Sequence, residues 1–241
     1  MTPSSTTTRW SLVQVAQGDT PEARVALSEL CAIYYAPVHS FVRGWCRDGD
    51  DADDLAQEFF ARLLARNDLA NADQGRGRFR SFLLGAVKHF LCDARDRDLA
   101  EKRGGDVVRV SLDAALSTHG GAPGLEPHDE RALPPDVMFD RQWVCVLLER
   151  TLEALRKEMR GEGKGEVFDA LKGALAGASA HGDLAKAAAQ LNLSETAIRV
   201  LLHRLRRRFR ERLRMELAQT LADGVDVDAE MRLLFEAVTE S

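Results

Sequence analysis

The side chains that could do chemistry in this sequence are carboxylates and guanidinium groups, and they lie in separate blocks. Residues 48–58 carry six acidic side chains and no basic one, whereas residues 76–97 carry six basic side chains against two acidic ones. Residues 195–214 carry eight arginines, and the tail after residue 216 is acidic again. Blocks of this kind mark separate partner surfaces or solvated faces, so the pattern favours recognition of charged partners.

Catalysis is not indicated. The chain has no nucleophile elbow, phosphate-binding loop, zinc-protease or dinucleotide-binding motif, and its six histidines are scattered. The acidic block could in principle hold Mg²⁺ for a nuclease or recombinase, but carboxylates on one helix diverge around its axis and a second acidic ligand set is missing. We therefore predict no catalytic residue, no metal site and no cofactor.

The composition is that of a soluble globular protein, with 45% hydrophobic and 29% charged residues among 241. We find no run of ~18 apolar residues and predict no membrane span. The four widely spaced cysteines fit a reducing cytoplasm. The net charge of −5 would by itself argue against nucleic-acid binding. It is an average over the chain, however, and the basic residues are concentrated in two blocks.

Hydrophobic periodicity predicts an all-α fold of two helical domains joined by a flexible linker. We place an N-terminal extension at 1–19, a first domain at 20–103, a Pro- and Gly-rich linker at 104–136, a second domain at 137–218 and an acidic extension at 219–241. The single candidate strand, 107–112, lies in the linker.

Two helices of the first domain carry charge on a face separate from their apolar stripe. In the first, Asp54, Gln57 and Glu58 share a face beside a stripe that includes Phe59; a solvated face with a Glu58–Arg62 pair is the alternative. The second helix follows a polar loop at 67–78. Aromatic residues are concentrated in this domain, and at helical spacing they are more often core than base-stacking side chains.

Residues 182–209 read GDLAKAAAQLNLSETAIRVLLHRLRRRF and predict a helix-turn-helix. A first helix has a small apolar face centred on Ala187 and Ala188. Asn192 tolerates the left-handed conformation of a tight turn, and Ser194 can cap the second helix. The second helix would bury a stripe of four residues, namely Ile198, Leu201, Leu205 and Phe209.

The basic face of this second helix predicts DNA contacts. Thr196 and Arg199, near its start, are best placed to reach base edges, whereas arginines further along are suited to phosphates. Seven residues make up the predicted contact set: Ser194, Thr196, Arg199, His203, Arg204, Arg206 and Arg207.

The segments DADDLAQEFFARLL (51–64), RGRFRSFLLGAVKHFLCDARD (76–96) and LSETAIRVLLHRLRRRF (193–209) occur in this order. The ordered set resembles bacterial RNA polymerase sigma factors of the extracytoplasmic-function type. Segments 8–13, 167–175 and 216–223 resemble a longer branch of that family.

The resemblance implies a transcription initiation factor that is not an enzyme. Asp54, Gln57 and Glu58 would then bind core RNA polymerase, and the helix from Ser194 would read the minus-thirty-five element of duplex promoter DNA. The loop at 67–78 would capture a flipped base. The minus-ten element, held as single-stranded DNA, would contact five residues: Arg78, Arg80, Ser81, Lys88 and Arg95.

Several alternatives stay open. A stand-alone helix-turn-helix regulator, with a first domain for dimerisation or ligand binding, is the main rival to a sigma factor that is monomeric until it docks on polymerase. An anti-sigma factor, phosphorylation or the chain's own extensions could each regulate it. The sign reversal after residue 216 suggests that the acidic tail covers the arginines of 206–214 in the free protein.

Overall fold

The computed structural model describes residues 9–46, 51–66, 69, 72, 78–103, 133–175, 181–222 and 224–239. These residues are overwhelmingly helical and contain no strand, so the predicted all-α fold is confirmed. The helices are α1 (Arg9–Ala16), α2 (Pro21–Trp45), α3 (Ala52–Arg66), α4 (Phe79–Arg103), α5 (Pro135–Gly161), α6 (Gly165–Leu171, followed by a 3₁₀ turn at Lys172–Ala174), α7 (His181–Leu191), α8 (Glu195–Ala218) and α9 (Val227–Thr239). The predicted linker and its candidate strand lie almost entirely outside the described residues.

The chain divides into two compact units. The first contains the residues up to Val144 together with those from Gln219 onward, and the second is Cys145–Ala218. The division therefore falls within helix α5, eight residues beyond the predicted start of the second domain at 137. Helix α9, predicted as a separate extension, belongs to the first unit.

Helix α2 is the central helix of the first unit. Thr20 caps it by accepting a hydrogen bond from the Ala23 amide at 3.1 Å, and Pro21 occupies the first turn, where its missing N–H costs nothing. Its buried residues recur at three- and four-residue spacing, and it contacts α1, α3 and α4. The helix runs through Pro37, which is itself buried. The apolar face of α2 thus organises the helices on either side of it.

We predicted no membrane span from the sequence, but α2 is long and apolar enough to cross a membrane by length and composition alone. Nine of its residues are buried among helices of its own unit. It also carries charged side chains along its length, such as Glu29 and Arg43. Such burial, together with its contacts to α1, α3 and α4, makes α2 the core helix of the first unit.

The N-terminal residues extend this core. Trp10 and Val13 of α1 are buried, and the Trp10 ring meets the edge of Phe79 with centroids 5.7 Å apart. The Gln17 side chain donates hydrogen bonds to the backbone oxygens of Leu69 and Ala72, at 2.8 and 3.1 Å. Residues 9–17, predicted as an extension, therefore help to position Leu69 and Ala72, which precede α4 in the sequence.

Most aromatic side chains of the first unit are core residues. Tyr34, Phe59, Phe79 and Phe90 are buried and pack edge to face, with centroids 5.2 to 5.7 Å apart. Tyr35 is an exception at 37% exposure, lying against the ring of Phe60. The core interpretation of the helically spaced aromatics is confirmed for these four residues.

The second unit is built from the second part of α5 with α6, α7 and α8. Its core joins Leu155 and Met159 of α5 to Phe168 of α6 and to Ile198 and Leu202 of α8. Phe209, expected in the buried stripe, packs at the edge of this core, as does Leu201. The buried stripe of α8 therefore runs one position later than predicted in its middle turn.

Candidate functional site

The exposed face of α3 carries the acidic residues predicted to bind a protein partner. Ala56 and Phe59 lie on the opposite face of the helix and are buried in the core. Asp54 and Gln57 are exposed, and an Asp53 carboxylate oxygen lies 2.9 Å from the Nε2 atom of His39. Asp54 and Gln57 are thus adjacent on an open surface that can contact a partner without rearrangement of the domain.

Glu58 lies on the same surface, but it already has a partner within the domain. Its Oε1 atom accepts a hydrogen bond from Arg97 of α4 at 3.0 Å. Arg62, proposed as its helical neighbour, instead donates to Asp93 at 3.3 Å. The alternative Glu58–Arg62 pair is therefore wrong: both side chains connect α3 to α4.

The beginning of α4 holds a cluster of buried charge. Arg80 is 8% exposed and donates to Asp140 of α5 at 3.0 Å and to Glu230 of α9 at 2.6 Å. Its guanidinium also lies over the Trp143 ring, 5.1 Å from the centroid. Arg78 is about one-third exposed and lies 2.5 Å from the other carboxylate oxygen of Glu230.

Burial dominates the electrostatics of this cluster. Desolvation lowers the pKa of Arg80 and raises the pKa of Asp140, although each charge partly offsets the effect on the other. Because arginine titrates far above neutral pH, Arg80 remains charged and needs its carboxylate partners. Arg80, predicted as a DNA contact, is therefore an internal ion-pair residue in this conformation.

The remaining residues of the predicted minus-ten surface are divided between solvent and internal contacts. Ser81 and Arg95 are exposed on α4. Lys88 is 2.5 Å from Asp136 and 5.9 Å from the centroid of the Phe41 ring. The predicted loop at 67–78 lies mostly outside the described residues, which include only Leu69, Ala72 and Arg78.

The turn between α7 and α8 has the predicted local geometry. Asn192 adopts a left-handed backbone with φ of 52°, and the Ser194 side chain accepts a hydrogen bond from the Ala197 amide at 3.2 Å. Ala187 and Ala188 are buried on α7, where their small side chains allow close packing of the helices. The left-handed turn and the helix cap are therefore confirmed.

The basic helix α8 presents five of the predicted DNA-binding residues to solvent. These exposed residues are Thr196, Arg199, His203, Arg204 and Arg207. Arg199 lies 3.6 Å from Glu195, and Arg207 lies 3.6 Å from Glu211. Exposed pairs of this kind are weak and leave the arginines able to exchange partners.

Two further arginines of α8 point inward. Arg206, predicted to face DNA, is half-buried and donates to the backbone oxygen of Ala174 at 2.7 Å. Arg208 donates to the carboxylates of Glu158 and Glu162. This contact, with Lys164, lowers the pKa of Glu162 to about 2. Arg206 and Arg208 thus position α8 against its neighbours, and the outward alignment predicted for Arg206 is wrong.

One residue of the predicted acidic tail has a partner within its own unit. Glu230 of α9 contacts Arg78 and Arg80 of the first unit. A signal for this burial is present in the sequence. Glu230 lies four positions before Leu234 and three after Val227, and thus on the apolar stripe of α9, where a charged residue needs a buried partner.

Among the described residues, no group of three histidine, cysteine, aspartate or glutamate side chains could hold a metal ion. All four cysteines are free, and burial raises the pKa of the Cys31, Cys46 and Cys92 thiols. Protonated thiols of this kind are poor nucleophiles at neutral pH.

Comparison with known families places the charged surfaces of the first unit in a recognised domain. Residues 30–98 match the family model of sigma-70 region 2. The matched range covers most of α2, all of α3 and most of α4. The match supports a sigma-70 family factor with a role in RNA polymerase binding and promoter recognition. No curated protein and no solved structure matched the chain.

Proposed function

We propose that this chain is a sigma factor of the extracytoplasmic-function type. It acts in the cytoplasm, binds core RNA polymerase, recognises minus-ten and minus-thirty-five elements and promotes promoter melting. The observation that carries the proposal is the region 2 match over 30–98, which contains both the exposed acidic face of α3 and the basic helix α4. The second unit supports it with a capped, basic helix that follows a left-handed turn.

The polymerase contact is assigned to Asp54 and Gln57, with Glu58 at its edge. Asp54 and Gln57 are exposed, whereas Glu58 also holds Arg97 and so connects the surface to α4. We therefore expect substitutions of Asp54 to affect binding alone. Reversal of Glu58 would in addition bring a second positive charge to Arg97 and weaken the domain.

Binding to purified core RNA polymerase tests this assignment directly. Asp54→Lys should weaken binding at least tenfold, or about 1.4 kcal/mol, because like charges in an interface are costly. Asp19→Lys is the matched control, since Asp19 is fully exposed, lies outside α3 and undergoes the same change of charge. Equal affinities of the two variants would contradict the assignment.

Promoter recognition is assigned to Thr196 and Arg199 for bases and to Arg204 and Arg207 for phosphates. All four are exposed on α8, and Thr196 and Arg199 lie in its first two turns. Run-off transcription from a promoter library, with core polymerase added, is the decisive experiment. Arg199→Ala should change the preferred minus-thirty-five sequence at a cost of about 1–3 kcal/mol. An unchanged preference would remove Arg199 from the base-reading set.

The library experiment also separates the sigma factor from a stand-alone regulator. A sigma factor confers specific initiation on core polymerase, whereas a repressor binds duplex operator DNA unaided. Specific duplex binding without any polymerase association would therefore overturn the proposal.

A further inference from the structure

Helix α9 places a carboxylate where a sigma factor would need free positive charge. Glu230 is 1% exposed, and its two oxygens lie 2.6 Å from Arg80 and 2.5 Å from Arg78. Both arginines stand at the start of α4, inside the range that matches sigma-70 region 2. A carboxylate between two guanidinium groups occupies the same chemical position as a phosphate of a nucleic acid.

The contact has features of a site that another anion could take. The Glu230 oxygen that faces Arg78 lies at ion-pair distance but without hydrogen-bond geometry, so the pair is only partly satisfied. A phosphate offers more acceptor oxygens than a carboxylate and can bond both arginines. Arg80 would keep Asp140 of α5 as a partner when Glu230 leaves. Release of Glu230 therefore does not leave Arg80 as an unpaired buried charge.

The helix that carries Glu230 is short. It spans thirteen residues, a length at which an isolated helix is marginal in water. Asp226 caps its first turn by accepting hydrogen bonds from the amides of Asp228 and Ala229. Leu234 and Glu230 are the buried positions among its described side chains. Among the described side chains of α9, one apolar residue and one member of the ion-pair cluster are therefore buried in its docked position.

We propose that α9 is an intramolecular competitor of single-stranded DNA for Arg78 and Arg80. Docked α9 neutralises these arginines in the free chain, and an anionic strand that displaces Glu230 gains at least the Arg78 contact. This inference rests on the proposed function, because it takes the start of α4 as a DNA-binding surface. It gives the acidic tail a partner within the first unit.

The test uses the full chain with Glu230→Gln, which keeps the side-chain shape and removes its charge. Glu236→Gln is the matched control, since Glu236 is exposed on the same helix and undergoes the same change of net charge. The probe is a dye-labelled single-stranded oligonucleotide of mixed sequence, about twelve nucleotides long, within the range bound by single-strand domains. Its affinity is measured by fluorescence anisotropy between about 50 and 200 mM salt.

We expect Glu230→Gln to bind the oligonucleotide more tightly than the parent and the control. One additional phosphate contact steepens the slope of log affinity against log salt by about 0.7. Between 50 and 200 mM salt, the affinity of this variant should therefore fall by an additional factor of about 2.6. Leu234→Ala, which loosens α9 without changing its charge, should act in the same direction. Circular dichroism and thermal unfolding verify that each variant is folded.

Two results overturn the inference and differ in what they say of the proposed function. If Glu230→Gln and Leu234→Ala match Glu236→Gln in affinity and salt slope, while the parent starts transcription with core polymerase, α9 is a structural helix and the sigma-factor function stands. If no variant binds the oligonucleotide and the parent fails to engage polymerase, the proposed function and the inference both fail.

Discussion

Arg204 and Arg206 lie two positions apart on α8. The structure predicts that Arg204 contributes to DNA binding and Arg206 to the stability of the domain. Arg204 is exposed, whereas Arg206 is half-buried and donates to the Ala174 backbone oxygen at 2.7 Å. Both belong to the DNA-binding set predicted from sequence. We expect Arg204→Gln to weaken DNA binding with little effect on stability, and Arg206→Gln to do the reverse.

The sizes of the two effects follow from the contacts. Loss of one phosphate contact to duplex DNA makes the slope of log affinity against log salt shallower by about 0.9. Between 50 and 200 mM salt, the affinity of the variant then falls about 3.5-fold less than that of the parent. A hydrogen bond from a charged donor contributes about 1.5–3 kcal/mol to stability. Because part of the Arg206 side chain is exposed, we expect Arg206→Gln to lower the free energy of unfolding by about 1.5 kcal/mol, the lower end of that range.

The assay pairs DNA binding with urea unfolding for the same two variants. A duplex carrying the minus-thirty-five sequence selected from the promoter library is titrated across the salt range, and unfolding is followed by circular dichroism at one salt concentration. If both variants showed the same reduction in the salt dependence of DNA affinity and in the free energy of unfolding, the two side chains would have the same role. A reduced slope with unchanged stability for Arg206→Gln would refute the inward orientation of Arg206.

Three further predictions follow from individual contacts. Ser194→Ala removes the cap of α8 and should cost about 1 kcal/mol in urea unfolding, while Ser194→Asp, which can still cap the helix, should retain most of the stability. The pKa of Glu162 is lowered to about 2 by Arg208 and Lys164, so its contribution to stability is complete above the unfolded value of 4.5 and is lost as the pH falls through about 2. Thermal melts at several pH values should therefore show a smaller decline between pH 4.5 and 2 for Glu162→Gln than for the parent. The Tyr34 hydroxyl is buried without a hydrogen-bond partner among the described residues, so Tyr34→Phe should raise the free energy of unfolding by about 1 kcal/mol, and a lower value would indicate a partner for the hydroxyl.

Local features of the chain were predicted most successfully. The left-handed turn at Asn192 and the cap at Ser194 depend on the intrinsic conformations of a few neighbouring residues, and both are present. The all-α fold follows from the spacing of apolar residues within single helices. The exposed positions of Asp54 and Gln57 follow from the same periodicity, because the buried face of α3 determines its outer face.

The sequence by itself thus determined the all-α fold, the apolar periodicity of most helices and the alternation of acidic and basic blocks. Only the tertiary structure decided which charges meet. Arg80 and Glu230 are 150 positions apart, and Glu58 and Arg97 are 39 apart, so no local pattern identifies them as partners. Such pairs depend on how helices pack, and packing is decided by the burial of apolar surface over the whole unit. For this reason a basic block predicted to meet DNA contains Arg95, which faces solvent, and also Arg80, which the protein itself has already paired.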